Sequence, residues 1–214
     1  MQLYTYFRSS AAFRVRIALN LKRLDYQSHS VHLVRDGGQH KRPEYLELNP
    51  QGFVPTLIHD GRVLTQSLAI IEYIDEVYPD PPLLPETVGE RAYVRSLAEI
   101  VACDIHPLNN QRVLKYLTGR LGHEEQARLD WYKHWIHEGF EAFETHLTSN
   151  LDAESYCYGG SPTLADVCLV PQVFNAKRFN CDLSAYPMIQ QIHEHCMRLA
   201  AFQAAAPENQ ADAE

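Results

Sequence analysis

Several features that would mark a function class at once are missing from this chain of 214 residues. No apolar run approaches the length of a membrane span, and the first residues carry no basic-then-apolar leader pattern. The expectation is a protein that stays in the cytoplasm and off membranes. Cysteine is scarce: five residues, an odd number, with no C-x-x-C pair. That argues against a dithiol redox motif and for reduced, mostly buried thiols. There is no glycine-rich phosphate loop, no dinucleotide fingerprint and no internal repeat. Positive charge is in deficit, with 19 Lys and Arg against 27 Asp and Glu and a net charge of −8. Nucleic acid is therefore not an expected partner, and an anionic ligand needs a local basic site that opposes the global field. The run His193-Glu194-His195-Cys196 has metal-binding residue types, but its spacing spreads them over different helix faces, so no metal is expected.

What is present starts with one stretch. Leu3–Phe7 reads as a strand that runs into Ser9-Ser10 and then into a helix, Ser10–Lys22, with Phe13, Ile17 and Leu21 at four-residue spacing. A serine hydroxyl and free backbone N–H groups then sit where a strand meets a helix N-terminus. Such a junction binds anions and lowers the pKa of a thiol. Arg8 adds a fixed positive charge next to it. Gln27–Leu33 alternates like a strand exposed on one face, Asp36-Gly37-Gly38 is a loop signal, and Pro43–Leu48 is a short helix ended by Asn49-Pro50-Gln51-Gly52. Thr56–His59 and Val63–Thr65 flank the hairpin signature Asp60-Gly61, and Ser67 caps a helix from Leu68 to Val77. Four prolines between Tyr78 and Pro85 mark a linker. Beyond it the pattern is helical: Arg91–Leu117, Glu124–Leu147, a helix opened by a capping box at Thr163 and Asp166, and a last helix from Pro187 to about Ala201. The division expected is an α/β domain over 1–78, a linker over 79–88, an all-α domain over 89–207 and a disordered polar tail over 208–214.

An α/β first domain, a proline-rich linker and an all-α second domain resemble the glutathione transferases, whose first domain is thioredoxin-like. The motifs narrow the resemblance. Tyr6-Phe7-Arg8-Ser9-Ser10, then Arg14-Val15-Arg16-Ile17-Ala18-Leu19, Asn49-Pro50, Val54-Pro55-Thr56-Leu57, Gln66-Ser67-Leu68-Ala69-Ile70-Ile71 and Leu169-Val170-Pro171-Gln172 are similar to the zeta class, the maleylacetoacetate isomerases. Bacterial maleylpyruvate isomerases share the scaffold and much of the pattern. The resemblance spans the whole chain, with one departure: the zeta pattern Ser-Ser-Cys-Ser reads Ser9-Ser10-Ala11-Ala12 here. A serine must therefore stabilise the thiolate without a neighbouring protein thiol.

The resemblance implies glutathione as cofactor and a glutathione-dependent cis–trans isomerase acting on a small dicarboxylate, maleylacetoacetate or maleylpyruvate, in tyrosine or gentisate catabolism, and by family habit a homodimer. It implies roles for particular residues. Ser9, with Ser10 as rival, donates to the glutathione sulfur. Val54-Pro55 is a cis-proline corner that offers the Val54 backbone to glutathione. Gln66 and Ser67 hold the γ-glutamyl carboxylate at a helix N-terminus, and Gln39 and His40 reach the glycine carboxylate. His106 and Asn110 approach glutathione from the helical domain. Arg8, Arg112 and Arg178 clamp the substrate carboxylates, since arginine binds them bidentately. Arg14 and Arg16 are given structural ion-pair roles, and Trp131 and Trp135 core or interface roles. Two other readings stay open: a general conjugating transferase, disfavoured by three arginines assigned to the site, and a non-catalytic module on the same fold, disfavoured by the retention of Ser9, Gln66 and Ser67.

Overall fold

The computed structural model describes residues 1–214 as two compact units, one made of Met1–Pro82 with Met197–Glu214, the other of Leu83–Cys196. In the first unit, four short strands, β1 (Gln2–Thr5), β2 (Gln27–Ser30), β3 (Thr56–His59) and β4 (Arg62–Thr65), form one sheet in the order β2-β1-β3-β4. β1 and β2 are parallel, whereas β1 with β3 and β3 with β4 are antiparallel. The register pairs Tyr4 with both His29 and Thr56, and Thr56 with Thr65. The ends of β1, β2 and β4 and the start of β3 therefore share one edge of the sheet. Helices α1 (Ser10–Leu21), α2 (Pro43–Leu48) and α3 (Ser67–Val77) complete this α/β layer. Leu3 and Leu57 from the sheet, Phe13 and Ile17 from α1, and Ile70 and Ile74 from α3 are buried. Each contributes roughly 1.5–3 kcal/mol relative to an exposed position.

The second unit is helical: α4 (Val88–Glu99), a π-helical stretch Ile100–Ile105, the short α5 (His106–Leu108), then α6 (Gln111–Gly119), α7 (Glu125–Thr148), α8 (Leu164–Arg178) and α9 (Pro187–Cys196). α8 is apolar nearly all round and is buried from Leu164 to Val173. The capping box at its start is present: Asp166 accepts the Thr163 N–H and hydroxyl, both at 2.7 Å, and the Cys157 N–H at 2.8 Å. Glu144 on α7 caps α9 by accepting the N–H groups of Met188 and Ile189 at 2.8 and 2.9 Å. No helix is long and apolar enough to cross a membrane.

The structure corrects four expectations. The long helix expected over Arg91–Leu117 is interrupted, because Pro107 has no N–H to donate back and the helix widens into π geometry just before it. The last helix stops at Cys196, and α10 (Ala200–Ala205) follows as a separate element. The segment from Met197 onward joins the first unit instead of completing the helical one. Within it, residues 208–214 are not disordered: Pro207–Asn209 makes a 3-10 turn, and Asp212 and Glu214 bind the first unit with their carboxylates.

Candidate active site

The shared sheet edge collects the predicted binding residues of the first unit. β1 leads through Tyr6 and Phe7 to Ser9, β3 is preceded by Val54-Pro55, β4 leads to Gln66-Ser67, and β2 leads to the loop that carries Gln39 and His40. Beneath the edge, Tyr6, Phe7, Val31, Tyr45 and Val54 form a buried apolar cluster. The Tyr45 hydroxyl, 2.6 Å from Phe53 O and 2.9 Å from Thr56 Oγ1, ties α2 to the turn before β3. Burial of its ring pushes the Tyr45 hydroxyl up to about 12, so it stays a neutral donor.

Ser9 is the N-cap of α1, and its Oγ accepts the Ala12 N–H at 3.2 Å. That bond uses an acceptor lone pair and leaves the hydroxyl proton available to a ligand. No acidic residue stands in the first turn of α1, so the positive end of the helix is not neutralised from within. Ser9 is half-buried and Ser10 is 6% exposed, which separates the two rivals by access. The guanidinium of Arg8 folds back on the two residues before it. Its Nη2 and Nε donate to the Tyr6 hydroxyl at 2.8 and 3.2 Å, and it lies over the rings of Tyr6 and Phe7.

The Val54–Pro55 bond is cis. Gln66, not Ser67, is the N-cap of α3, and it sits in the left-handed region at φ 69°. Its amide donates to Gln51 Oε1 at 2.7 Å. Ser67 begins the helix, buried, and accepts from Arg14 Nη1 at 3.2 Å. Arg14 thus links α1 to the N-terminus of α3. Gln39 is engaged locally: its side-chain Oε1 accepts the His32 N–H at 2.8 Å while its backbone N–H donates to His32 O at 2.7 Å, closing the loop between them. Arg16 is also buried, and its bonds go to Thr5 Oγ1 and to the carbonyls of Tyr6, Phe7 and Ala205. The ion pair expected of Arg16 is replaced by a set of neutral acceptors. Desolvation lowers its pKa to about 10, which still leaves it charged at neutral pH.

In the helical unit, His106 follows the π-helical stretch, and Asn110 caps α6 by accepting the Arg112 N–H at 3.0 Å. α7 supports this segment: Trp131 Nε1 donates to Leu108 O, and the Tyr132 carbonyl accepts from Asn109 Nδ2, both at 2.9 Å. Trp131 is thus a strut beneath the segment. Arg112 and Arg178 are exposed, and the Arg178 guanidinium lies 5.1 Å from the Phe179 ring centroid. Four of the five cysteines are buried, and burial beside Asp166 pushes the Cys157 and Cys196 thiols up, so neither is a nucleophile.

Sequence reasoning missed the engagement of Arg14 with Ser67, the clamp by Arg16, and the roles of His32, Asp212 and Glu214. Two arginines within a helix otherwise buried on nearly every side were a signal for the first two. No local signal announces the others, because their partners lie far away in the chain.

The geometry agrees with similarity to known proteins. Residues 3–82 match the family described as glutathione S-transferase, N-terminal domain. A Vibrio cholerae protein named as a probable maleylacetoacetate isomerase is 53% identical over 211 residues, 99% of this chain and 97% of that one. A holo structure of maleyl pyruvate isomerase, described as a bacterial glutathione S-transferase in the zeta class, is 46% identical, with a TM-score of 0.97 and 100% of both chains covered. The crystal structure of a maleylacetoacetate isomerase from Anaeromyxobacter dehalogenans, with dicarboxyethyl glutathione and citrate in its active site, is 39% identical, with a TM-score of 0.86 over 100% of this chain and 97% of that one. Likeness of this extent, over nearly the full length of both partners, assigns the chain: it belongs to the glutathione transferase family, in the zeta class.

Proposed function

We propose that the protein is a glutathione-dependent cis–trans isomerase that converts maleylacetoacetate to fumarylacetoacetate or maleylpyruvate to fumarylpyruvate. The observation that carries the reading is the Ser9 junction, a hydroxyl with its proton free at the un-neutralised N-terminus of α1. Glutathione fits the donors gathered at the sheet edge. A hydroxyl and a helix N-terminus suit its thiol, the start of α3 suits a carboxylate, and the strand-like Val54 corner suits its peptide backbone. When bound, it supplies a thiolate that adds reversibly to the cis double bond and leaves after rotation about the resulting single bond. The relative that holds dicarboxyethyl glutathione supports this chemistry, because that compound carries a four-carbon dicarboxylate on the cofactor.

The chain's own groups then divide the work. Ser9 donates a hydrogen bond that favours the ionised thiol, with Ser10 behind it in the first turn of α1. Gln66 and Ser67 receive the γ-glutamyl carboxylate, Gln39 and His40 the glycine end, and Val54-Pro55 the backbone between, with His106 and Asn110 as further contacts. Arg8, Arg112 and Arg178 hold the substrate carboxylates and stabilise negative charge that develops during the reaction. Ala11 stands where the zeta pattern has cysteine, so no protein thiol shares the work, and thiolate stabilisation falls to the Ser9 hydroxyl and the N-terminus of α1. The same reading makes the protein a cytoplasmic homodimer in ring-cleavage catabolism of tyrosine or gentisate.

The test is kcat/KM for isomerisation of each substrate, generated in place by ring cleavage, with and without glutathione. Strict dependence on glutathione supports the reading, and the ratio between substrates assigns the pathway. Failure to isomerise either, with glutathione still stabilising the fold, overturns it in favour of a conjugating transferase or a binding module.

A further inference from the structure

The turn that leads into Ser9 is gripped on both sides by groups from distant parts of the chain. β1 ends at Thr5, whose carbonyl accepts the Val31 N–H at 2.8 Å. Phe7, beyond the ladder and 5% exposed, needs an acceptor for its N–H inside the protein. That acceptor is Asp212, whose Oδ2 lies 3.1 Å from Phe7 N and 2.9 Å from the donating Ser30 hydroxyl. On the other side of the same residue, the Phe7 carbonyl accepts from Arg16 Nη2 at 3.0 Å. Arg16 Nη1 also reaches Tyr6 O at 3.3 Å, the carbonyl that accepts the Ser9 N–H at 2.9 Å. Arg16 is itself fixed by its Nε, which donates to Ala205 O at 3.0 Å.

Both ends of this clamp belong to the segment Met197–Glu214. The segment is fastened on one side by Asn20 Nδ2, which donates to Ala201 O at 3.0 Å. On the other side the Glu214 carboxylate lies 2.8 Å from His32 Nε2 and 2.7 Å from Arg35 Nη2. His32 Nδ1 accepts the N–H groups of Val34 and Arg35, so its proton is on Nε2 and points at Glu214.

We propose that residues 197–214 are a positioning element for the thiol site: Asp212 directly, and Ala205 through Arg16, set the Tyr6–Ser9 turn and thereby aim the Ser9 hydroxyl. The inference rests on the role given to Ser9 above. A swing of the Tyr6–Phe7 peptide breaks the Phe7 N–H bond to Asp212 and the Tyr6 O bond to Arg16 Nη1 at once, so the two grips leave the turn one orientation. The charge of Asp212 also favours the cationic form of Arg16 across the turn.

The experiment uses the full chain and reads the ultraviolet absorbance of bound glutathione thiolate against pH, together with kcat, KM for glutathione and Tm, for Asp212→Ala, Asp212→Asn, Asp212→Glu and Ser9→Ala. Asp212→Ala is expected to raise the bound thiol pKa by about 0.5–1 unit and to lower kcat at neutral pH about three- to tenfold, the loss of one charge-assisted hydrogen bond passed on to Ser9. KM for glutathione moves less than kcat. Asp212→Asn, which keeps an acceptor for the Phe7 N–H, restores most of both. A thiol pKa and kcat that stay at wild-type values in Asp212→Ala and Asp212→Glu overturn the proposal, whatever happens to Tm. If Asp212→Ala raises the thiol pKa and Ser9→Ala does not, Ser9 is the wrong donor while the positioning role of the segment stands.

Discussion

Replacing Ser9 removes two interactions of different size, and the structure allows them to be told apart. One is the helix cap, the 3.2 Å bond from Ala12 N–H to Ser9 Oγ. Loss of an N-cap to alanine costs about 1 kcal/mol, and to glycine only a few tenths. In a chain of this length 1 kcal/mol lowers Tm by about 2–4 °C. The other is the hydrogen bond proposed from Ser9 to the glutathione thiolate, worth roughly 1.5–3 kcal/mol because its acceptor is charged. At 1.36 kcal/mol per unit, that is about 1–2 units of thiol pKa. The un-neutralised N-terminus of α1 supplies a further part of the stabilisation that no side-chain substitution removes. In Ser9→Gly and Ser9→Ala the thiol therefore moves back toward its ordinary pKa near 8.5, and kcat/KM at pH 7 falls by about ten- to a hundredfold. The deficit should narrow above about pH 9, where the thiol ionises without help. Ser9→Thr keeps both the cap and the donor and should remain within a few-fold of wild type. Ser10→Ala, at a buried position, should cost little activity. The assay is kcat/KM for isomerisation between about pH 6 and 9.5, with Tm measured in parallel. A pH profile for Ser9→Gly that coincides with wild type, or that lies below it by a constant factor at every pH, refutes the assignment. The first result leaves Ser9 with no part in the chemistry, and the second leaves it a purely structural one.

Three further substitutions test the scaffold. The Lys22 ammonium, fully buried, meets Asp75 Oδ1 at 2.5 Å and the carbonyls of Tyr78 and Pro81 at 2.6 Å, so Lys22→Met should destabilise by about 3–5 kcal/mol in urea unfolding; a loss below about 1 kcal/mol contradicts the buried-pair argument. A Cβ on Gly139 would lie 2.3 Å from Ile105 Cγ1 in the π-helical stretch, so Gly139→Ala should cost about 1–3 kcal/mol, and Ile105→Ala in the same chain should recover part of that loss; additive losses in the double variant would falsify the packing account. His193 is held down to about 4 from 6.5, first by desolvation and then by the Lys177 charge, so between those values the unfolded chain binds a proton that the folded one does not. Its contribution is therefore complete above about pH 6.5 and declines as pH falls toward 4, and His193→Gln should flatten the pH dependence of the unfolding free energy across that window. Parallel curves for the two proteins would exclude the linkage.

Wherever the cause was local, the sequence alone determined the outcome. The serines between an apolar strand and a periodic helix, the hairpin at Asp60-Gly61 and the capping box at Thr163 and Asp166 each follow from neighbours within a few residues, and each recurs in the structure close to its expected place. The junctions that carry the proposed site residues of the first unit were legible for the same reason: Ser9 caps α1, Gln66 and Ser67 open α3, and Val54-Pro55 precedes β3. Tertiary structure decided what depends on partners far away. Pattern alone runs a helix through Ile100–Ile105, whereas packing around Pro107 and Gly139 widens it. Arg16 reads as a structural ion-pair residue that needs a carboxylate, but folding surrounds it with carbonyls, so its charge organises backbone instead of pairing. Residues 208–214, small and polar, have no apolar face to order them. They become ordered because Asp212 and Glu214 meet an N–H, a hydroxyl, an imidazole and a guanidinium roughly 180 to 205 positions earlier in the chain, and no window along the sequence contains both halves of those bonds.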